Sequence, residues 1–245
     1  MAMFARDLSV AHYRSFDSYR LVLDDGVTVL AGPNAAGKTN LIEALQLLTS
    51  GASFRHPTAT ELVHDGVGSC RVQLRLEGDG RVLDMGLSVE DGKRSFSRNG
   101  KKCSAAGVRG VLPSVLFCPD HLDMVKRGAS VRRAALDDFG VQLSARYADL
   151  ASAYGRCVTQ RNALLKENWC CREMLGAWNE SIARAGSALL VHRLALLDRL
   201  ASHVRDAYGQ VASGETAHVS YASTLGDLPQ TDDREELKGW AYERM

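Results

Sequence analysis

The stretch AGPNAAGKTN, residues 31–40, decides how the rest of the chain is read. Gly32 and Gly37 bracket four residues, and Lys38 and Thr39 follow, which completes G-x-x-x-x-G-K-[ST]. Upstream, GVTVLA (residues 26–31) is a short β-branched run and predicts a buried strand. Downstream, TNLIEALQLLTS (residues 39–50) places Leu41, Leu45 and Leu48 on one helical face. A loop between strand and helix is the context the motif requires. Its glycines let backbone N–H groups converge on phosphate oxygens, and the helix N-terminus adds partial positive charge. The candidate nucleotide-binding residues are therefore Gly32, Pro33, Asn34, Ala35, Ala36, Gly37, Lys38, Thr39 and Asn40. Lys38 would neutralise the outer phosphates, and Thr39 would offer its hydroxyl to Mg²⁺. An ordinary glycine-containing turn needs neither the full motif nor both flanks. Ala35 occupies a wildcard position and stiffens a loop that often carries glycine there.

The 245 residues suffice for one large α/β domain or two smaller lobes with a substantial core. Hydrophobic content of 45% and charged content of 24% are ordinary for a globular protein. The net charge of +1 means that no global field demands a nucleic-acid partner, although a local basic patch can still serve one. Cys70, Cys103, Cys118, Cys157, Cys170 and Cys171 form no C-x-x-C and have no histidine pair at zinc spacing. Scattered thiols without a signal peptide read as reduced and cytoplasmic, and vicinal Cys170 and Cys171 as spectators. No apolar stretch reaches the roughly 18 residues needed to span a membrane.

Residues 1–118 read as a strand-rich lobe carrying the phosphate loop. SCRVQLRLEGDGRVLDMGLSVE alternates as a hairpin about Gly78-Asp79-Gly80. SFSRNGKKC adds a second hairpin through Asn99-Gly100. PSVLFC (residues 113–118) predicts a short apolar strand. Residues 119–212 read as a helical lobe, with Tyr147, Leu150, Tyr154, Cys157 and Val158 at helical spacing in one helix. Met174, Trp178, Ile182, Leu189, Leu194, Leu197, Leu200 and Val204 follow in a second. Residues 213–245 are expected to hold a strand returning to the first lobe, HVSYAST (218–224), and then a polar tail.

The order of these motifs resembles the RecF family, bacterial DNA replication and repair ATPases related to SMC and ABC heads. LSVAHYRSFDSYRLVLDDGVTVLAGPNAAGKTNLIEALQLL is similar to the family opening, with Tyr13-Arg14-Ser15-Phe16 in place of its N-F-R-N/S-Y. SFRHPTATELVHDG is similar to the stretch after the first helix. VLFCPDHLDMVKRGASVRRAALDD resembles the family's L-F-x-P-E-D-L-x-L-V-K-G-x-P-x-x-R-R-x-F-L-D and is the most specific segment. YGRCVTQRNALLKE and the Trp178 helix resemble its helical lobe. Three positions depart: His121 stands for Asp, Arg127 for Gly and Ala129 for Pro. The resemblance implies an α/β fold, an ABC/SMC-type P-loop ATPase head. It also implies ATP and Mg²⁺ as cofactors, a slow DNA-dependent ATPase acting in DNA recombination and the SOS response, and a cytoplasmic location. Its implied partners are double-stranded or gapped DNA, a RecR-type mediator protein and a second copy in an ATP-dependent homodimer.

Hydrolysis needs a second Mg²⁺ contact, a group that orients water, and charge stabilisation across the dimer. The family supplies these from a signature segment of the S-x-G-Q-Q kind and an apolar strand ending in acids (Walker B), followed by a D-loop. Two stretches imitate the acidic strand. LALLD (194–198) fits the letters, but Leu190, Leu194, Leu197 and Leu200 keep helical spacing and Arg193 and Arg199 flank it, so a helix is predicted. AALDD (134–138) follows Arg132-Arg133 and reads as a helix start. ASGET, around Ser213, lacks the following Gln-Gln. The chain is thus expected to stop short of the catalytic half and to turn ATP over negligibly.

Other residues carry two readings each. Arg14 could lie against the nucleotide, as the corresponding position does in related heads, or be a surface arginine. Asp120 could sit near the γ-phosphate or cap a helix after Pro119. Lys126, Arg127, Arg132 and Arg133 could hold DNA phosphates, or form a solvated helix face paired with Asp137 and Asp138. Lys93, Arg94, Arg98, Lys101 and Lys102 form a basic hairpin tip suited to a DNA backbone, or to guarding a sheet edge. Two functions from different classes follow. One is a RecF-like DNA replication, repair and recombination protein that binds ATP–Mg²⁺ and DNA. The other is a truncated, non-hydrolysing ATP-binding module or remnant, with exposed apolar surface where strands are missing. Another SMC-like ATPase head is a third reading, against which the F-C-P-D segment argues.

Overall fold

The computed structural model describes residues 3–166, 172–231 and 233–245. The chain divides into two compact units, Met1–Cys118 and Pro119–Met245. The first is built on β1 (Phe4–Tyr13), β2 (Phe16–Val22), α1 (Lys38–Ser50), β3 (Ser69–Gly78), β4 (Arg81–Glu90), β5 (Lys93–Arg98), β6 (Lys101–Cys103) and the short α2 (Ala105–Val108). The second holds α3 (Asp123–Lys126), α4 (Ala129–Leu143), α5 (Ala145–Leu164), α6 (Arg172–Val211) and α7 (Arg234–Arg244).

The strands form one antiparallel sheet in the order β2-β1-β3-β4-β5-β6. Period-two alternation sets which face is buried. Leu8 and Val10 of β1, Cys70, Val72, Leu74 and Leu76 of β3, and Met85, Leu87 and Val89 of β4 all turn inward. There they share a core with Leu41, Ala44, Leu47 and Leu48 of α1. Each such leucine contributes about 1.5–3 kcal/mol by leaving water. The opposite face is polar and pairs Arg71 with Ser88 and Gln73 with Gly86 across β3 and β4. The expected hairpins form. Asn99 and Gly100 both take positive φ, 50° and 74°, as a two-residue turn of primed type requires. Asp91-Gly92 makes a further turn of this kind, with φ of 50° and 70°.

Three expected strands do not form. Residues 26–31 and 113–118 take no part in the sheet, and neither do residues 218–224. Val27 and Val29 are 92% and 79% exposed, and Val115 and Phe117 are 73% and 79% exposed. The physical reason is that a β-branched run is a strand only beside a partner. Among the described residues the sheet ends at β2 and β6, and no further strand supplies a ladder to these segments.

In the second unit Tyr147, Leu189 and Leu196 centre a core completed by Leu136, Phe139, Leu150, Tyr154 and Leu200. Gly140 lets α4 approach the Tyr147 ring, since a Cβ there would lie 2.4 Å from it. Ser144 caps α5 by accepting from the Tyr147 N–H. Residues 194–198 and 134–138 both lie inside helices, α6 and α4. The tail expected to be merely polar forms α7: Asp233 accepts from the N–H groups of Glu235 and Glu236, and Leu237 and Ala241 are buried. Among the described residues no helix is long and apolar enough to cross a membrane.

The exposed runs predict self-association. Val29→Ser combined with Phe117→Ser should lower concentration-dependent light scattering without shifting the unfolding midpoint. Unchanged scattering would exclude these segments as the adhesive surface.

Candidate nucleotide site

The candidate loop follows residues 26–31 and closes onto α1. Residues 31–36 are exposed, whereas Gly37 is buried. Gly37 has φ 88°, a conformation that favours glycine. A Cβ at Gly37 would lie 2.4 Å from Phe16 Cζ and 2.8 Å from Ser15 Oγ. The β1–β2 turn therefore sits directly behind the loop, and only a residue without a side chain fits between. Ala35 also takes positive φ, 67°, which most residues avoid.

Lys38 folds back over the start of the loop, and its Nζ donates to the carbonyls of Gly32 and Pro33, each at 2.7 Å. Thr39 is exposed in the first turn of α1. The first-turn N–H groups of such a helix have no acceptor within it and point outward past its end. The motif thus presents an ammonium, a hydroxyl and helix N–H groups together. A phosphate chain with a hard divalent cation suits that donor set.

Behind the loop is a buried ion cluster. Glu43, on α1, has no solvent exposure. Arg14 grips it with two bonds, Nε to Oε2 at 3.1 Å and Nη2 to Oε1 at 2.9 Å. Ser53 Oγ donates to Oε1 at 2.6 Å, and Arg55 Nη1 approaches Oε2 at 3.4 Å. Arg55 Nη1 also donates to Asn40 Oδ1 at 2.8 Å, while Asn40 Nδ2 donates to Ser15 Oγ at 3.0 Å. Burial alone would raise the Glu43 carboxyl, but the bonds from Arg14 and Ser53 and the charges of Arg14 and Arg55 outweigh it and hold the group below its ordinary range. Arg14 itself sits at φ 53°, its N–H bonded to the Leu62 carbonyl at 2.9 Å. Of its two sequence readings, neither includes the carboxylate it actually meets. Glu43 was not singled out in the sequence, and Ser53 and Arg55 entered only as part of the stretch SFRHPTATELVHDG; the cue available for Glu43 was a lone acid on the apolar side of α1, next to Ala44 and Leu47.

The remaining candidates separate. Arg127 pairs with Asp123 at 2.7 Å. Arg132 Nη1 donates to the carbonyls of Met124 and Arg127 and so closes the end of α3. Lys126 is exposed beside them. Arg133 instead lines a cavity of about 340 Å³ with Arg193, Tyr221 and Arg244 among others. Asp137 is held by Arg193 at 2.8 and 2.6 Å and accepts from the Tyr147 hydroxyl at 2.6 Å. Lys101 and Lys102 are exposed on β6, and Lys102 edges an open cleft with Arg71, Ser95 and Ser97. Arg94 donates to the Pro57 carbonyl. The side chain of Asp120, and Cys170 and Cys171, lie outside the described residues.

Comparison with known proteins finds a family described as an AAA domain matching residues 7–107. DNA replication and repair protein RecF of Arthrobacter sp. (strain FB24) is 34% identical over 98% of this chain and 62% of its own length. RecF of Syntrophotalea carbinolica is 34% identical over 93% of this chain and 62% of its own. The solved recombination mediator protein RecF-ATPrS in the RecFOR pathway superimposes with TM-score 0.89 at 25% identity, over 99% of this chain and 67% of that one. The RecF-ATP structure of the same pathway gives TM-score 0.87 at 25% identity, over 99% of this chain and 66% of that one. The chain spans about three-fifths of the length of these curated relatives.

Removing the Glu43 carboxylate strands the Arg14 guanidinium, so Glu43→Ala should destabilise the fold by about 3–5 kcal/mol in denaturant titration. Because the folded carboxyl is depressed, its stabilisation is complete above the ordinary glutamate range and fades as pH falls through the lowered value. Glu43→Gln should therefore flatten the acid limb of stability against pH, and an unaltered limb would refute this assignment.

Proposed function

We propose that this chain, which belongs to the RecF family of DNA replication and repair proteins, binds ATP–Mg²⁺ through residues 32–39 and acts on DNA in replication and repair. The observation that carries this reading is the loop itself. Buried Gly37 is fitted against Phe16, Lys38 is drawn onto the loop carbonyls, and Thr39 lies in the first turn of α1. Likeness to solved RecF-ATP over 99% of the chain supports the same conclusion.

In this reading Lys38 neutralises the β- and γ-phosphates and Thr39 ligates Mg²⁺. Arg14 contributes from behind the loop, through Glu43. Lys126, Arg127, Arg132, Arg133, Lys101 and Lys102 are the DNA-backbone candidates, and all six are exposed. Double-stranded or gapped DNA, a RecR-type mediator, ATP-dependent homodimerisation and a cytoplasmic location complete the proposal.

A second reading, an ATP-holding module without turnover, is favoured by one observation. Both stretches that imitate an acid-terminated strand, residues 134–138 and 194–198, are helical. Phosphate release by the purified chain that depends on Lys38 would overturn it.

Isothermal titration should show ATP–Mg²⁺ binding by the wild-type chain, with Lys38→Ala weakening it about tenfold or more, the worth of one charge-assisted phosphate contact. Equal affinity for the two proteins would refute the proposal.

A further inference from the structure

The cavity of about 340 Å³ in the second unit lies between α4, α5, α6, α7 and residues 221–225. One side of it is apolar. Gly186 of α6 is buried, and a Cβ there would lie 3.0 Å from the Tyr154 ring and 2.7 Å from Met245 Sδ. The bare glycine therefore lets the ring and the thioether close onto α6. Buried Leu190, one turn further along α6, continues that wall.

The other side is cationic. Arg133, Arg193 and Arg244 come from three different helices, and among the described residues no aspartate or glutamate lines the cavity. Asp137 neutralises Arg193 through Nε and Nη2 and leaves the other two guanidiniums. Arg244 is steadied by its own helix: its guanidinium lies 4.9 Å from the centre of the Trp240 ring, and Nη1 donates to the Trp240 carbonyl at 3.3 Å. Its contact with the exposed Glu243, at 3.9 Å, is long and screened by water. Arg133 is exposed and makes no ion pair with a described residue. Two like charges beside an apolar wall repel, and an anion held between them relieves the repulsion and gains both bonds. Ser223 adds a donor at the same wall, because its Oγ accepts the Leu225 N–H at 3.0 Å and its own O–H remains.

We propose that this cavity binds a small aromatic phosphate monoester, of the class of a free nucleoside monophosphate. The phosphate lies between Arg133 and Arg244, and the ring lies against Tyr154 and Leu190. Charge selects the monoester: it carries about −1.5 to −2 at pH 7, which matches two free guanidiniums, whereas a diester carries one charge. Size agrees, since about 340 Å³ is at the small end of ligand pockets, which span roughly 300–1,000 Å³. No residue of this site belongs to the first unit, so it is separate from the candidate phosphate loop.

The test is titration calorimetry on the full chain with phenyl phosphate as the probe and its diester, methyl phenyl phosphate, as the control. Phenyl phosphate should bind the wild type and Lys38→Ala alike, and AMP should compete with it in both. The diester should bind the wild type about tenfold more weakly, a comparison that needs no variant. Arg133→Gln and Arg244→Gln should each weaken phenyl phosphate about tenfold. Arg133→Gln should melt as the wild type does, because the arginine it replaces is exposed and unpaired among the described residues. Any of four results overturns the proposal: no binding of phenyl phosphate, equal affinity for monoester and diester, loss of binding in Lys38→Ala, or affinity within about twofold of wild type in either arginine variant. The ATP–Mg²⁺ reading stands or falls separately, on the ATP titration of Lys38→Ala.

Discussion

A carboxylate with no access to water organises the phosphate-loop end of the first unit. Glu43 sits on the face of α1 that otherwise carries Ala44, Leu47 and Leu48, where an uncompensated charge would be strongly unfavourable. Its compensation comes from three side chains on two segments: Arg14 of the β1–β2 turn, and Ser53 and Arg55 of the segment after α1. A salt bridge in such a place adds little net stability compared with a well-packed apolar group. What it adds is definition. The turn, the helix and the following segment have one arrangement in which the charge is met, and that arrangement sets Ser15 and Phe16 against Gly37.

The parts of this candidate site that the sequence offered are those whose chemistry demands neighbours in the chain. Residues that are to cradle one phosphate chain have to be close in sequence, so the spacing of Gly32, Gly37, Lys38 and Thr39 is itself the signal. The Arg14 grip spans 29 positions and the Arg55 contact 12, and no local rule links such residues. The same holds in the helical unit. Asp137 was expected to meet arginines on its own helix, yet its partner Arg193 comes from α6, 56 positions away. Burial would lower that guanidinium, and the bonds and charge of Asp137 more than reverse the effect.

Secondary structure was legible where a segment carries its own hydrogen-bond partners. The β3–β4 pair is joined by its own turn, and α5 and α6 bond within themselves. Residues 26–31, 113–118 and 218–224 have strand composition but pair with no strand among the described residues, and composition cannot create a ladder. The reverse error occurred at α7, where a weakly apolar sequence folds because Asp233 caps it and Leu237 and Ala241 find a surface. Helical spacing, by contrast, outweighed the letters at residues 194–198, because arginines beside the leucines cannot enter a buried strand.

The contact between Gly37 and Phe16 makes two distant positions a single unit of variation. The glycine leaves no room for a methyl group because the ring occupies it, and the ring is held because nothing at position 37 displaces it. A smaller residue at 16 would open space that a larger residue at 37 could occupy, yet φ 88° still penalises any side chain there. Drift at the hairpin is therefore permitted only in one direction, toward residues that fill the same volume. In a collection of descendant sequences the aromatic character of position 16 should persist for as long as the glycine does.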